Sequence, residues 1–183
     1  MIASVLLGIG LSASAGFRVF IPLLIAALAG KFGLLPLTES FEWMSTWPAI
    51  ICFGTATLIE LIAYYIPVVD NFLDLITTPM AILAGTLLAT SVLPVDNELL
   101  KWTSGILLGG GAAGVIQTGT SLLRLFSTKT TAGIANPVVS TAEHMAALGT
   151  SVFSVLLPVV AGSLILLLIV YILFRGGKKL FSK

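Results

Sequence analysis

The sequence predicts an all-α membrane protein that folds as a bundle of about six transmembrane segments. Of its 183 residues, 57% are hydrophobic and only 9% are charged, whereas soluble domains carry roughly 25% charged residues. The mean hydropathy of +1.11 leaves too few polar side chains for a water-facing surface. Apolar runs near the roughly 20 residues that cross a bilayer as a helix recur along the chain. We therefore expect one transmembrane domain over residues 1–183, surrounded by lipid.

The apolar runs, separated by charges, prolines and glycines, place the segments at about 2–30, 47–67, 73–94, 102–126, 134–149 and 151–174. The first is interrupted by Gly8, Gly10 and the small residues 12–16. The fifth is short and begins with Gly133 and Asn136. Because glycines and prolines interrupt helices, we predict that these two segments are broken or re-entrant.

Three short patterns recur in the same order in the two halves of the chain. Residues 6–10 resemble 107–111, Glu60 parallels Glu143, and 84–87 resemble 161–164. Three segments per half is an odd number, so the second copy must enter the membrane from the opposite side. This predicts an inverted repeat of three plus three segments, with repeats at about 1–94 and 100–175 and a basic cytoplasmic tail at 175–183.

Basic residues favour one side of the predicted bundle. The positive-inside rule places both termini in the cytoplasm. The three tryptophans fall near the outer ends of their segments, where indole rings prefer the headgroup region. The basic residues on the predicted cytoplasmic side are Arg124, Lys129, Arg175, Lys178, Lys179 and Lys183. The charged residues on the predicted outer side are Glu39, Glu42, Asp96, Glu98, Lys31 and Lys101. The tryptophans are Trp43, Trp47 and Trp102.

Four ionisable residues, Arg18, Glu60, Glu143 and His144, lie inside apolar segments, where each costs at least about 2.5–3.5 kcal/mol at mid-helix. Arg18 follows the small-residue break, so its guanidinium and backbone amides could converge on an anion. Alternatively, Arg18 pairs with Glu60 or Glu143 to hold the bundle together. The two carboxylates could share a proton or bind a cation, or each could accept local hydrogen bonds or cap a broken helix.

Asp70 and Asp74 begin the third segment at an i, i+4 spacing, which is typical of a helix N-terminus and would also suit a cation entrance. The polar stretch 118–131 contains Arg124, a further entrance candidate, and could hold an oxyanion or replace an ion's water shell. It could equally be a hydrated cytoplasmic loop. The candidate binding residues are Arg18, Glu60, Asn136, Glu143, Ser14, Gln117 and Ser140, with a metal left unknown.

Enzyme-like patterns lack the context that their chemistry needs. Gly109-x-Gly111-x-x-Gly114 has the spacing of a dinucleotide fingerprint but no preceding strand, so its glycines indicate close helix packing. One histidine and one cysteine cannot by themselves make a zinc site. We expect no enzyme activity and no cofactor, and the net charge of +1 gives no sign of a nucleic-acid partner.

Several motifs together resemble a family of bacterial membrane proteins known as domain of unknown function 4126. They are Ser14-Ala-Gly-Phe-Arg18 with Pro22, Glu60 with Pro67-x-x-Asp70-x-x-x-Asp74, and residues 131–137 followed by Ser140 and Glu143. The resemblance spans nearly the whole chain and implies a polytopic membrane protein without an assigned activity. The family pattern commonly has a histidine near Gln117 and an acid near His144, so a histidine proton relay does not carry over.

The leading functional hypothesis is a small transporter for an ion or polar solute, with its binding site at the membrane midplane between the two repeats. A homodimer is a possible assembly of such a transporter. Paired helix breaks and buried charges motivate it. The alternatives are an ion channel lined by the Ser/Thr-rich stretch, a translocase for a lipid with an anionic headgroup held by Arg18 and Arg124, and a membrane scaffold without transport.

Overall fold

The computed structural model describes the backbone of residues 1–181, with side chains described except at 67, 68, 70–72, 74, 75, 176, 177 and 179–181. Over this range the chain is helical, without a strand. A 3₁₀ helix, Glu39–Ser45, precedes α3, and a π-helical segment, Gly105–Gly110, joins α5 to α6. The helices of residues 1–181 are α1 (Ile2–Ala15), α2 (Phe20–Lys31), α3 (Trp47–Ala63), α4 (Pro67–Val92), α5 (Glu98–Ser104), α6 (Gly111–Thr131), α7 (Asn136–Leu156) and α8 (Pro158–Phe181).

The all-helical prediction is confirmed, and helices lie at all six predicted segments. The first segment is broken, as expected, because α1 ends at Ala15 and α2 begins at Phe20. With 14 and 12 residues, these helices are about 21 and 18 Å long, well short of a hydrocarbon core of about 30 Å. Neither half of this segment can cross a bilayer alone.

The fifth segment, expected at 134–149, is neither short nor broken, because α7 runs without interruption for 21 residues; a re-entrant path for it stays a prediction. The break lies before it. Ala132 and Gly133 have φ values of 52° and 86°, a left-handed backbone that a helix cannot continue through. Asn136 and Pro137 therefore begin a helix, as a proline near the first helical position favours.

The alternative of a hydrated loop over residues 118–131 is also wrong, since α6 continues to Thr131. Three threonine hydroxyls in this stretch donate to carbonyls four residues earlier in the same helix: Thr118 to Gly114 at 2.7 Å, and Thr130 and Thr131 to Phe126 and Ser127 at 2.8 Å each. Polar composition alone suggested a loop, but hydroxyls bonded in this way are compatible with a helix.

Among the described residues, two helical stretches are long and apolar enough to cross a membrane, Glu98–Thr131 and Pro158–Arg175. A third span results if the 3₁₀ helix Glu39–Ser45 and α3, which meet at 62°, count as one. Two to three helices could thus span a membrane, which indicates a membrane protein.

Two helix crossings bring backbones into direct contact. A Cβ atom on Gly85 of α4 would lie 2.6 Å from the carbonyl oxygen of Gly109 in the π-helical segment. One on Gly162 of α8 would meet the carbonyl oxygen of Leu6 in α1. Small residues permit such close approach between helices. Gly85 and Gly162 belong to the two similar sequence patterns at 84–87 and 161–164.

We expect Gly109→Ala to destabilise the bundle by about 1–3 kcal/mol, because the added methyl group must push Gly85 and Ala89 away. Gly119→Ala is the matched control, since a Cβ there meets nothing within 4 Å and alanine favours a helix by up to about 1 kcal/mol. Thermal unfolding in detergent micelles, followed by circular dichroism, measures both. Equal midpoints for the two variants would contradict the close crossing.

Candidate functional site

The break between α1 and α2 exposes backbone amides inside the bundle, and Glu60 accepts their hydrogen bonds. Its Oε1 lies 2.9 Å from the Val19 nitrogen, and its Oε2 lies 3.1 Å from the Phe20 nitrogen. The first amides of a helix have no partner within the helix, and negative charge is stabilised there. Of the alternatives for Glu60, the structure shows the one in which the carboxylate caps a broken helix.

The close approach of α1 to α6 explains why the break begins at Gly16. A Cβ atom on Gly16 would lie 2.5 Å from the carbonyl oxygen of Ala113 and 2.6 Å from Cβ of Ile116. Only glycine fits against α6 at this point. The chain then turns, and Arg18 enters the interior two residues later.

Arg18 is buried, with 1% of its surface exposed. Its Nη2 lies 2.8 Å from Oε2 of Glu143 on α7. Its Cζ lies 3.5 Å from the centre of the Tyr64 ring, a distance at which a cation is attracted to the π face. The ion pair described for Arg18 is therefore with Glu143, one of the two partners that the sequence suggested.

Glu143 also binds Arg124 of α6. Nε of Arg124 lies 3.1 Å from each carboxylate oxygen, and Nη2 donates to Oε2 of Glu143 and, at 3.2 Å, to Oγ of Ser140. Cζ of Arg124 lies 4.4 Å from the Tyr64 ring centre. We call Arg18, Tyr64, Arg124, Ser140 and Glu143 the ionic cluster. Both guanidinium groups thus contact one carboxylate and one aromatic ring.

The structure places Arg124 in this cluster, with 4% of its surface exposed, and its role at an entrance stays a prediction. Because Glu143 supplies both charge and hydrogen bonds, Arg124 can be buried well inside α6. The proposed entrance residues Asp70 and Asp74 lie near the start of α4, but their side chains are outside the described part of the structure.

Some buried nitrogen atoms have no hydrogen-bond partner among the described residues: Nε and Nη2 of Arg18 and Nε2 of His144. Nη2 of Arg18 is close to Glu143, but its N–H groups are not aligned with the carboxylate oxygen. The ring centre of His144 lies 6.4 Å from that of Tyr64 and 5.7 Å from that of Tyr65. Arg18 and His144 therefore both pack near Tyr64 and have donor or acceptor capacity left unused.

Asn136 and Ser14 have described partners outside the ionic cluster. Oδ1 of Asn136 accepts from Ser127 at 3.0 Å, and its Nδ2 donates to Thr128 at 3.1 Å. Asn136 precedes Glu143 by two turns of α7, about 10 Å. Ser14 donates to Thr150 of α7 at 2.8 Å, so it ties the end of α1 to α7.

Gln117 lies on α6 one turn before Ser121, to whose Oγ its Nε2 donates at 3.3 Å. Its Oε1 is buried with no partner among the described residues. The structure thus brings Arg18, Ser140 and Glu143 together with Arg124. Glu60 lies at the neighbouring helix break. The binding roles of Asn136, Ser14 and Gln117 stay predictions.

Tyr64 is the member of the cluster that the sequence reasoning missed. Tyr64 lies four residues after Glu60, at the C-terminal end of α3, so the two side chains lie on the same face of that helix. This spacing could have indicated from the sequence that Tyr64 lies near the buried charges. Within the described residues, no group of three or more His, Cys, Asp or Glu side chains is placed to hold a metal ion.

The described residues define a class: a helical protein with two to three helices able to span a membrane and a charged cluster buried among its helices. The chain belongs to the family described as domain of unknown function, DUF4126, whose model matches residues 5–176. The family inferred from the sequence motifs is thereby confirmed. Neither a curated protein nor a solved structure matches the chain.

We expect Glu60→Gln to destabilise the fold by about 1–3 kcal/mol, because an amide group offers one acceptor oxygen where the carboxylate offers two. One of the amides of Val19 and Phe20 then lacks a partner. Hydrogen exchange should speed up at one or both of these amides.

Glu98→Gln is the control, since Glu98 is an exposed acid whose described hydrogen bond is to the side chain of Trp102. If Glu60→Gln leaves exchange at residues 19 and 20 at the wild-type rate, Glu60 is not the cap in solution.

Proposed function

We propose that this protein is a small integral membrane transporter for an ion or a small polar solute, with the ionic cluster as its binding site. The observation that carries the proposal is the burial of Arg18, Arg124 and Glu143 together in a chain with apolar helices. Buried ion pairs are seldom retained for stability alone, and ionisable groups within membrane segments usually serve function.

An inverted repeat of three plus three segments is part of this proposal. Each of the two glycine crossings joins the third segment of one half to the first segment of the other, as a two-fold axis would require. The break between α1 and α2 also resembles the discontinuous helices that form transporter sites. A repeat interface of this kind would allow the two halves to move against each other around the ionic cluster.

We infer that the cluster lies nearer the cytoplasmic side of the bilayer than the outer side. The ring centres of Phe41 in the 3₁₀ helix and Trp102 in α5 are 6.0 Å apart. This contact supports an outer end of the bundle that is rich in tryptophan. Glu60 lies thirteen positions after Trp47 along α3, a rise of about 20 Å. Measured against a hydrocarbon core of about 30 Å, this depth favours a position beyond the midplane.

The inward orientation of both termini and an inner-membrane location complete the proposal. Because Arg124 is buried in the cluster, it no longer counts as a loop charge for the positive-inside rule. The excess of basic residues on one side of the bundle persists without Arg124. Lys129, Arg175, Lys178, Lys179 and Lys183 remain on one side, and Lys31 and Lys101 on the other.

A second candidate is translocation of a lipid with an anionic headgroup. Arg18 and Arg124, the residues expected to contact such a headgroup, meet at Glu143. A cavity of about 300 Å³, lined by Glu60, Tyr64 and mostly apolar residues of α2, α3 and α4, adjoins them through the Tyr64 ring. An apolar cavity next to paired guanidinium groups suits a chain attached to an anion.

Transport can be tested in vesicles reconstituted with the purified protein, using labelled sulfate, phosphate, acetate, potassium and glycine as probes. We expect at least one probe to enter faster than into empty vesicles. Arg18→Gln and Glu143→Gln should each reduce that flux by about tenfold or more, because each removes one member of the central ion pair.

Arg175→Gln is the matched control, since Arg175 is an exposed cation that stacks on Tyr171 outside the cluster. Its flux should equal that of the wild type. Flux of every probe at the level of empty vesicles, or undiminished flux in both cluster variants, would contradict the proposal.

A further inference from the structure

A cleft lies between α3 and α4. These helices follow each other in the chain, yet among the described residues they hardly approach each other. The face of α3 that lines the space between them has residues spaced i, i+3, i+4 and i+7, which lie on one side of a helix. They are Ala56, Ile59, Glu60 and Ala63. Because the side chains of Ala56 and Ala63 are single methyl groups, a cleft about 10 Å long remains beside α3. We call it the α3–α4 cleft.

The walls of the α3–α4 cleft are almost entirely apolar. The cleft is the cavity of about 300 Å³ that adjoins the Tyr64 ring. Its lining residues on α2 and α4 are Val19, Phe20, Leu73, Ile76, Thr77 and Met80. Three of the lining residues, Ile59, Ile76 and Met80, are exposed. The open side of the cleft therefore faces away from the bundle.

The polar side chains that line the cleft already have partners in the protein. Glu60 accepts from the amides of Val19 and Phe20. The hydroxyl groups of Tyr64 and Thr77 are bonded to each other at 2.7 Å. A buried water needs several polar partners, so the cleft offers little to water. An empty apolar space, in turn, forfeits the van der Waals contacts of its lining.

We propose that the α3–α4 cleft binds one acyl chain of a bilayer phospholipid. The inference goes beyond the proposed transport function and does not rest on it. Because α3 is part of the third candidate span, the open side of the cleft faces lipid. A lipid tail is as apolar as leucine, so its entry into the cleft gains no transfer energy. The binding comes instead from the contacts that the cleft walls would otherwise lack.

The width of the cleft favours a hydrocarbon chain over a helix from a second copy of the protein. A helix is about 10–12 Å wide with its side chains. The hydrogen bond between Tyr64 and Thr77 ties the end of α3 to α4 at 2.7 Å, and a helix could enter only if the two helices moved apart. An acyl chain is much thinner and bends to follow the walls.

Tyr64 connects the α3–α4 cleft to the ionic cluster. Its hydroxyl group is bonded to Thr77 in the cleft, and its ring lies against the guanidinium groups of Arg18 and Arg124. A chain in the cleft keeps water away from this side of the cluster. Electrostatic attraction is stronger where water is excluded, so the bound chain strengthens the ion pairs of the cluster.

Photolabelling of the full-length protein in phosphatidylcholine vesicles tests the site. The probe is phosphatidylcholine with a diazirine midway along one acyl chain, and labelled positions are mapped by mass spectrometry of peptides. Val19 and Thr77 are diagnostic, because they line the cleft but are only 4% and 5% exposed. A chain that stays outside the cleft cannot reach them. We expect label at both positions, at a level comparable to that at exposed Leu167 of α8.

Ala56→Trp should lower the label at Val19 and Thr77 by about tenfold or more, because the indole ring takes up the space that the chain fills. Leu58→Trp is the matched control, since Leu58 lies on the same helix, is exposed and does not line the cleft. It should be labelled like the wild type. Label at Leu167 should stay constant in every variant.

The headgroup should not matter, because the contacts are made by hydrocarbon. Phosphatidylglycerol with the same diazirine chain should therefore label Val19 and Thr77 equally well. Label from phosphatidylglycerol alone would overturn the inference and favour translocation of an anionic lipid.

Label confined to exposed positions in the wild type would also overturn the inference, as would label at Val19 and Thr77 that persists in Ala56→Trp. A dimer that Ala56→Trp dissociates, without lipid label in the wild type, would assign the cleft to a second copy and overturn it. If Ala56→Trp does not fold, Ala56→Leu, a smaller filling, should still lower the label at both positions.

The proposed function fails separately from this inference. Label inside the cleft of a protein without flux would remove transport and leave the acyl-chain site. Flux of a solute through a protein without label at Val19 and Thr77 would leave a transporter and remove the acyl-chain site.

Discussion

The carboxylate of Glu60 meets the open N-terminus of α2 inside the bundle, and the rest of the site depends on that contact. Backbone amides buried among apolar side chains have no water to bond, so a helix cannot break there unless the protein supplies an acceptor. Glu60 supplies two oxygens, one each for Val19 and Phe20. The break in turn directs Arg18 into the interior rather than along a helix surface.

A buried arginine then requires an anion, and the chain provides it from a distant segment. Glu143 of α7 binds Arg18 and Arg124 together, and the Tyr64 ring covers both guanidinium groups. Four parts of the chain thus converge: the α1–α2 break, the end of α3, α6 and α7. The arrangement resembles a binding site because one carboxylate is shared by two cations, and because Arg18 retains unused donors.

The two buried acids, which the sequence pattern treats as equivalents, have different roles. Glu60 is held by backbone amides at a helix end, where its negative charge stabilises the break. Glu143 is held by the guanidinium groups of Arg18 and Arg124. Glu60 therefore stabilises a helix end, whereas Glu143 is the counter-ion of two buried side chains. The proposed repeat would therefore account for the matching positions of the two acids, whereas the groups that each acid contacts determine its role.

Composition and spacing by themselves determined the helical membrane class, the positions of the helical segments, the break after residue 15 and the presence of Arg18, Glu60 and Glu143 inside apolar segments. These follow from one-dimensional quantities: apolar length, small-residue runs and charges inside apolar stretches. Tertiary structure alone decided that Arg18 pairs with Glu143, that Arg124 is buried with it and that Tyr64 joins them. It also decided that α6 and α7 extend past the ends expected at residues 126 and 149. The reason is that partner choice depends on which helix faces meet in space. A hydroxyl-rich stretch can be a loop or a helix, and an acid can be a cap or a counter-ion, until the packing of the other helices determines which hydrogen-bonding groups lie within reach.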